Sequence, residues 1–237
     1  MFTPFAFMSS PAGGEEIITD GLFLYWDASV SASVATPADS WDDLTANPND
    51  IPWINVPTYA TDEVGGYFEF NGVDSYGKLL DNASLDDNAG GFTMAFWLKA
   101  DGTATNDWVM SKMAPSFNNG YGMFINGSGY PQPHFRIGAT TYAPVLGTTT
   151  MLGSWLNVVI TYNNLAIKAY INDVEVGSFS VSGSITPGPS FINLGTTIDA
   201  STQYYKGRMA QMLLYNRALS SIEITDNYNV DKARFGY

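Results

Sequence analysis

Residues 153–177 read GSWLNVVITYNNLAIKAYINDVEVG, and this stretch decides the fold class. Leu156, Val158, Ile160 and Tyr162 alternate with Trp155, Asn157, Val159 and Thr161, the period-two pattern of a strand with one strongly apolar face. Asn163 and Asn164 interrupt the run. Leu165, Ile167, Ala169 and Ile171 then alternate with Ala166, Lys168 and Tyr170. Asn172 and Asp173 tolerate positive φ, and a third run begins at Val174. Two tight hairpins therefore predict three consecutive antiparallel strands.

Working outward, the rest of the chain has the same character. Residues 67–70 and 76–80 predict short strands around the turn at Asn71-Gly72. Phe92, Met94, Phe96 and Leu98 form an inward row, with Thr93, Ala95, Trp97 and Lys99 on the other face; bulk on both faces predicts a central strand. Further short strands are predicted over residues 21–28, 108–113, 121–125, 135–137, 141–145, 192–194 and 209–216, at the spacing of an all-β sandwich. Pro48, Pro52 and Pro57 lack the N–H that a central ladder needs, so residues 46–61 predict a loop with at most an edge strand. Ser220 and Glu223 form a capping-box pattern that predicts one short helix over residues 221–227. Residues 231–237 form a tail, with Phe235 and Tyr237 expected against an edge of the sandwich.

Composition agrees with a sandwich. The 237 residues are long enough to bury about 70% of the unfolded surface in a single core. Charged and aromatic residues are each 14% of the chain, and 23 Gly and 12 Pro break it into short segments. A net charge of −13 repels phosphate backbones and anionic bilayers, which predicts no nucleic-acid and no membrane partner. With no cysteine, a disulfide framework, a thiol nucleophile and a thiolate metal site are all excluded. Residues 1–20 differ in character from the rest of the chain. Phe2, Phe5, Phe7 and Met8 stand among Pro, Ser and Gly with no period, and no Lys or Arg precedes them, so the stretch predicts neither a signal peptide nor a span. It reads instead as an apolar arm that docks on a partner. The expected organisation is an arm over residues 1–20, one domain over 21–230 and a tail over 231–237.

Four blocks, in order, carry a family resemblance. Residues 155–162 with 169–174 resemble the "W-x-H-V-A-x-T-Y … L-Y-V-N-G" signature of laminin-G-like, concanavalin A-like jelly rolls. Residues 70–76, FNGVDSY, resemble "F-D-G-V-D-D-Y", and residues 92–99, FTMAFWLK, resemble "F-T-I-S-A-W-V-K". Residues 207–220, GRMAQMLLYNRALS, resemble "G-x-I-D-E-V-R-I-Y-N-R-A-L-S". The resemblance implies an antiparallel jelly-roll sandwich of the lectin and glucanase superfamily.

The chemistry depends on which residues the blocks keep and which they lose. Hydrolases of that superfamily resemble one another in an E-x-D-x-E strand, which places carboxylates on one face; this chain has no such string, so no enzymatic activity is expected. His134 is the only histidine and has no G-x-S-x-G elbow beside it, so it reads as structural. Calcium is the cofactor the resemblance implies, with Asp74 as the loop acid. Ser75 replaces the second Asp, however, and Ala210-Gln211 replaces an Asp-Glu pair, so no ligand set is assigned. Glycan binding needs exposed aromatic faces beside planar amides. Trp53, Tyr59, Trp108, Tyr130, Tyr142 and Tyr204 are the aromatics outside regular cores, and Asn118, Asn119, Tyr121, Tyr130 and Gln132 form the expected amide-aromatic patch.

The compact domain and its ending, residues 217–220 and 227–237, also resemble single-domain virion proteins of tailed phages. That resemblance implies a non-enzymatic protein at the virion surface, either a head decoration or an accessory protein. Its arm would grip other capsid or tail proteins or a second copy of itself. The alternative is a carbohydrate-binding lectin module or tail adhesin that recognises host-surface glycans.

Overall fold

The computed structural model describes residues 16–237 except 48, 63, 87–89, 103–105 and 198–201. In chain order the strands are β1 (Leu22–Asp27), β2 (Ser40–Trp41), β3 (Ile51–Asn55), β4 (Thr58–Asp62), β5 (Gly65–Asn71), β6 (Tyr76–Leu79), β7 (Phe92–Ala100) and β8 (Asp107–Lys112). They continue as β9 (Tyr121–Ile125), β10 (Pro131–Ile137), β11 (Thr140–Tyr142), β12 (Leu156–Tyr162), β13 (Ala166–Ile171), β14 (Val174–Ser180), β15 (Ile192–Leu194) and β16 (Lys206–Tyr215), and the helix α1 (Ser221–Asp231) closes the chain.

These strands form two eight-stranded antiparallel sheets. The first runs β14-β13-β12-β7-β16-β5-β4, with β1 pairing the far half of β16; the second runs β11-β10-β9-β8-β15-β6-β3-β2. The meander of residues 153–177 is therefore β12, β13 and β14, with Asn164, Asn172 and Asp173 at positive φ in its two hairpin turns. The expected inward rows face the second sheet: Phe92, Met94, Phe96 and Leu98 from β7, and Leu156, Val158, Ile160 and Tyr162 from β12. Trp41, Trp53, Tyr121, Met123, Phe135, Ile192 and Leu194 meet them from the other side. The architecture is an all-β jelly-roll sandwich with one short C-terminal helix.

The outer face of the first sheet is covered too. Ala95, Val159, Tyr170, Leu213 and Tyr215 pack there against Leu219 and Ile224 of the helix segment. Trp97 stacks on Phe235 at a centroid distance of 3.9 Å and on Tyr228 at 5.7 Å. The tail thus lies across a face rather than an edge, because Trp97 and Ala210 leave an apolar surface there that Phe235 fills. The helix is one turn longer than its caps predict. Asn227, a poor helix former, is held because its amide donates to Tyr215 Oη at 2.9 Å and its Oδ1 accepts from Ile18 N at 2.8 Å. Ile17 and Ile18 also pack on this face, so residues 16–20 belong to the domain rather than to an arm. Phe2, Phe5, Phe7 and Met8 lie outside the described residues.

Prolines set the other boundaries. Residues 46–61 form β3 and β4, more structure than the prolines predict, with Pro52 opposite Ser40 of the two-residue β2 at the end of the second sheet. On β10, Arg136 N donates to Gly120 O, so the alternate positions Pro131 and Pro133 point away from β9. That side of β10 is open, because β11 pairs only residues 135–137, and the missing N–H groups cost no ladder bond.

Candidate functional site

Among the described residues no α-helix covers the outer face of the second sheet. The prolines fix what β10 shows there: its burial alternates along the strand, and Gln132, His134 and Arg136 are the half-buried residues on the outer side. Strand geometry spreads these three positions over about 13 Å. Beneath them on β9 are Phe124, paired with Gln132, and Gly122, paired with His134. Any side chain at Gly122 would run into Trp108 of β8, and the glycine lets the indole lie flat against the sheet.

His134 is part of an aromatic plate. Its ring stacks on Phe117 at 4.8 Å and on Trp108 at 5.5 Å, and Trp108 and Phe117 are within 12° of parallel. Burial pulls the imidazole down to about 4, so near neutrality it is an uncharged ring. Phe117 reaches this position through consecutive left-handed residues, Ser116 at φ 68° and Phe117 at φ 53°. Such a conformation costs a bulky residue on the order of 1 kcal/mol and persists only where surrounding contacts impose it. Thr141 Oγ donates to Phe117 O at 2.7 Å and accepts from Arg136 Nη1 at 3.0 Å, which ties the strained turn to β10.

Polar groups surround the plate. Gln132 Nε2 donates to Ala143 O at 2.7 Å, and its Oε1 accepts a long bond from Asn126 at 3.4 Å, so the planar amide is held at a fixed tilt. Asn118 follows Phe117 directly and is exposed. Tyr130 stands half-buried at the turn that starts β10. Further along the same face Tyr76 and Tyr204 meet at 6.2 Å, and Lys78 Nζ lies 3.9 Å over the Phe191 ring.

Two of the five expected amide-aromatic residues do not belong to this face. Tyr121 points inward: it is wholly buried, stacks on Phe92 at 4.1 Å and donates its hydroxyl to Leu85 O. Its sequence neighbours gave no sign of which side was inside, since Tyr121, Met123 and Ile125 share a row and only the core decides. Asn119 is a buried clip whose Oδ1 accepts from Ala114 N at 2.6 Å and Ser190 Oγ at 3.2 Å. Asn118, next to Phe117, and Gln132, on the same side of β10 as His134, remain near the plate, while Tyr130 stands at the turn before β10. Of the other aromatics, Trp53 and Tyr59 pack in the core, donating to Pro37 O and Ala28 O, and Tyr142 lines it; Tyr204 is half-buried on the open face, and Trp108 lies on that side but is buried against Phe117, His134 and Phe124. Sequence reasoning missed Phe117, His134 and Arg136 as surface partners. The signal was present in PQPHFRI, where Pro131, Pro133 and Phe135 alternate with three polar residues.

The loop expected to hold calcium is satisfied by its own amides. Asn71 Oδ1 accepts from Val73 N, Asp74 N, Ser75 N and Ser75 Oγ, while Asn71 Nδ2 donates to Asp74 Oδ1 at 2.8 Å. Among the described residues no group of three or more His, Asp or Glu side chains could hold a metal ion, and the donor set does not fit the calcium the resemblance implied.

The comparisons with known proteins agree with this architecture. The profile described as "Concanavalin A-like lectin/glucanases superfamily" matches residues 71–225. The chain belongs to this superfamily. Among solved structures it is similar to the binding domain of Paraclostridial Mosquitocidal Protein 1, at 16% identity and TM-score 0.71, covering 88% of this chain and 52% of that one. It is also similar to domain 4 of AbnA, a GH43 extracellular arabinanase from Geobacillus stearothermophilus solved in complex with arabinotriose. That match has 18% identity and TM-score 0.67 and covers 87% of this chain and 98% of that domain. The binding domain of Botulinum Neurotoxin DC, in complex with SialylT, matches at 11% identity and TM-score 0.68, over 89% and 51% of the two chains. The chain spans about half the length of the two toxin chains. At these identities the likeness is one of fold. No curated protein matches the sequence.

Proposed function

We propose that this domain is a non-catalytic glycan-binding module whose binding face is the outer side of the second sheet. The observation that carries the reading is the pair of half-buried rings Phe117 and His134, backed by the buried Trp108 and held by a strained turn beside the fixed amide of Gln132. Flat apolar rings bind the C–H face of a sugar, and planar amides and a guanidinium bind its hydroxyls. Membership of a lectin and glucanase superfamily supports it, as does the likeness to an arabinanase domain solved with arabinotriose. The test is a broad panel of immobilised glycans probed with the whole chain. Binding to a subset is expected, weakened at least tenfold by Phe117→Ala and retained by Ile222→Ser, which alters an exposed residue of α1 on the far side. Silence across the panel from folded protein overturns the reading.

Display on a virion, through residues 1–20 and toward other capsid or tail proteins, is the second proposal. It rests on the sequence resemblance and one structural observation. Ile17 and Ile18 dock on the helix-covered face of the first sheet, so whatever precedes them starts on the side opposite the plate. An attachment made there would leave the glycan face turned outward. Removing residues 1–15 should then abolish particle association and spare glycan binding.

A further inference from the structure

The charge pattern of the open face goes one step beyond sugar binding. The chain has four arginines, and three are paired with carboxylates: Arg208 with Glu69, Arg217 with Asp20 and Glu223, and Arg234 with Asp27 and Asp231. Arg136 pairs with none among the described residues. In a protein of net charge −13 an arginine left without a carboxylate is the exception, and this one stands two residues from His134 on the same side of β10. Its guanidinium is fixed rather than loose. Nη1 donates to Thr141 Oγ, Nε is buried without an acceptor, and Nη2 has no partner among the described residues. Lys78, the other cation on this face, is spent over the Phe191 ring. His134 adds a flat surface but no charge, so Arg136 is the one permanent cation beside the plate among the described residues.

We infer that the sugar selected by this face carries a carboxylate, which Arg136 takes while the Phe117–His134 plate holds the ring. This rests on the glycan-binding reading above and names its ligand class. A fixed guanidinium edge with open donors matches a carboxylate in shape and charge, and charge-assisted bonds of this kind exceed neutral ones. The acidic body limits what that carboxylate can be part of. A densely charged polyanion feels the −13 field along its length, whereas a single acid group is in contact with Arg136 and is screened from remote charges beyond about 8 Å at physiological salt. An isolated uronic or sialic acid in an otherwise neutral chain fits; a sulfated polysaccharide does not.

The experiment compares matched probes by titration calorimetry on the full chain: lactose against sialyllactose, galactose oligomers against galacturonic acid oligomers of equal length, and a heparin fragment. The acidic member of a pair is expected to bind roughly ten- to a hundredfold more tightly. In Arg136→Gln that ratio should fall to about one, and Arg136→Lys should recover part of it, because the charge stays and the fork is lost. Thr141→Val releases the strained turn and unties Arg136 Nη1 while keeping the charge, so it should weaken both members of a pair and lower their ratio by less than Arg136→Gln does. Equal binding of neutral and acidic probes, or a preference that survives Arg136→Gln, overturns the carboxylate assignment and leaves the glycan reading standing. Strongest binding of the heparin fragment overturns it in favour of sulfate. No binding of any probe by folded protein sinks both readings.

Discussion

The two outer faces of this sandwich are opposites. On the first sheet the surface left by Trp97, Ala210 and Tyr215 is covered by α1 and the tail, and Arg234 is bonded through each of its three nitrogens. Arg234 Nη1 donates to Asp27 Oδ1 at 3.0 Å, Nη2 donates to Gly66 O, and Nε donates to Val64 O. Gln211 Nε2 donates to both Asp27 and Asp231, at 2.9 and 2.7 Å. On the second sheet no α-helix among the described residues covers the centre, His134 and Arg136 keep buried nitrogens without partners, and a phenylalanine is held in a left-handed turn. The closed face uses most of its polar groups to hold the fold together, although Trp97 Nε1 and Arg208 Nε are buried there without a hydrogen bond. What sets the open face apart is that an unpaired guanidinium nitrogen and an unpaired imidazole nitrogen stand beside a strained turn, at a cost of about 1–3 kcal/mol for each such feature, with no packing element to hold in return.

The contrast is sharpest where it can be broken most severely. Arg234→Ala leaves Asp27, 2% exposed, without its cation, and removes the bonds that tie the tail to Asp27 of β1, to Val64 and to Gly66 of β5. Breaking one partner of a buried pair costs about 3–5 kcal/mol. Urea denaturation should show a loss of that size, while glycan affinity measured on the protein that remains folded stays as it was. A loss below about 1 kcal/mol would mean that the closed face is no more committed to stability than the open one.

The same cluster gives the fold a pH dependence. Burial, together with the neighbouring charge of Asp27, pushes the Asp231 carboxyl up to about 6. A carboxyl raised in the folded state contributes stability that is complete below its unfolded value near 4 and is lost as pH rises through 6. Ionising it in place therefore costs up to about 3 kcal/mol between pH 4 and 7. Asp231→Asn keeps the shape and removes the charge, so the variant should be the more stable protein at pH 7.5 and should lose that advantage by pH 4. The slope should be reduced rather than abolished, because burial also raises Asp107, at the rim of the other sheet, to about 6. Equal melting-temperature profiles for the two proteins across this range would show that Asp231 does not titrate against the fold.

How much of this was readable in the residues depends on whether a pattern or a neighbour decides the outcome. The meander was legible because period-two rows such as Leu156 to Tyr162 have one possible burial, and because Asn172-Asp173 suits the turn it makes. The helix start was legible from Ser220 and Glu223, whose reciprocal bonds need nothing beyond the local chain. The binding face was only partly so. Tyr121 and Tyr130 are both aromatic residues near turns, and which of them faces solvent is set by the sheet that β9 joins, not by its own sequence. Gln211 shows the same limit in the other direction. Read alone it is a lost carboxylate, yet in the fold it bridges Asp27 and Asp231 from 184 and 20 residues away. Phe117 was invisible because no sequence signal predicts a phenylalanine at φ 53°.

That residue gives the finest division between the two faces. If the turn at Ser116 and Phe117 were ordinary packing, removing the ring would destabilise the fold in proportion to the apolar surface lost. Phe117 is half-buried and caps the small cluster of Trp108, Met113 and Phe124 beside His134, outside the main core, so its contribution is about 1 kcal/mol. Glycine relieves a left-handed backbone by about the same amount. Phe117→Gly should therefore leave the denaturation midpoint within about 0.5 kcal/mol of the parent while reducing glycan affinity tenfold or more. Phe117→Ala removes the same ring without relieving the backbone, so it should be the less stable of the two and equally poor at binding. Matched stabilities would show that the turn carries no strain. Matched affinities with the parent would show that the plate is packing, and the open face would then lose the feature that sets it apart from the closed one.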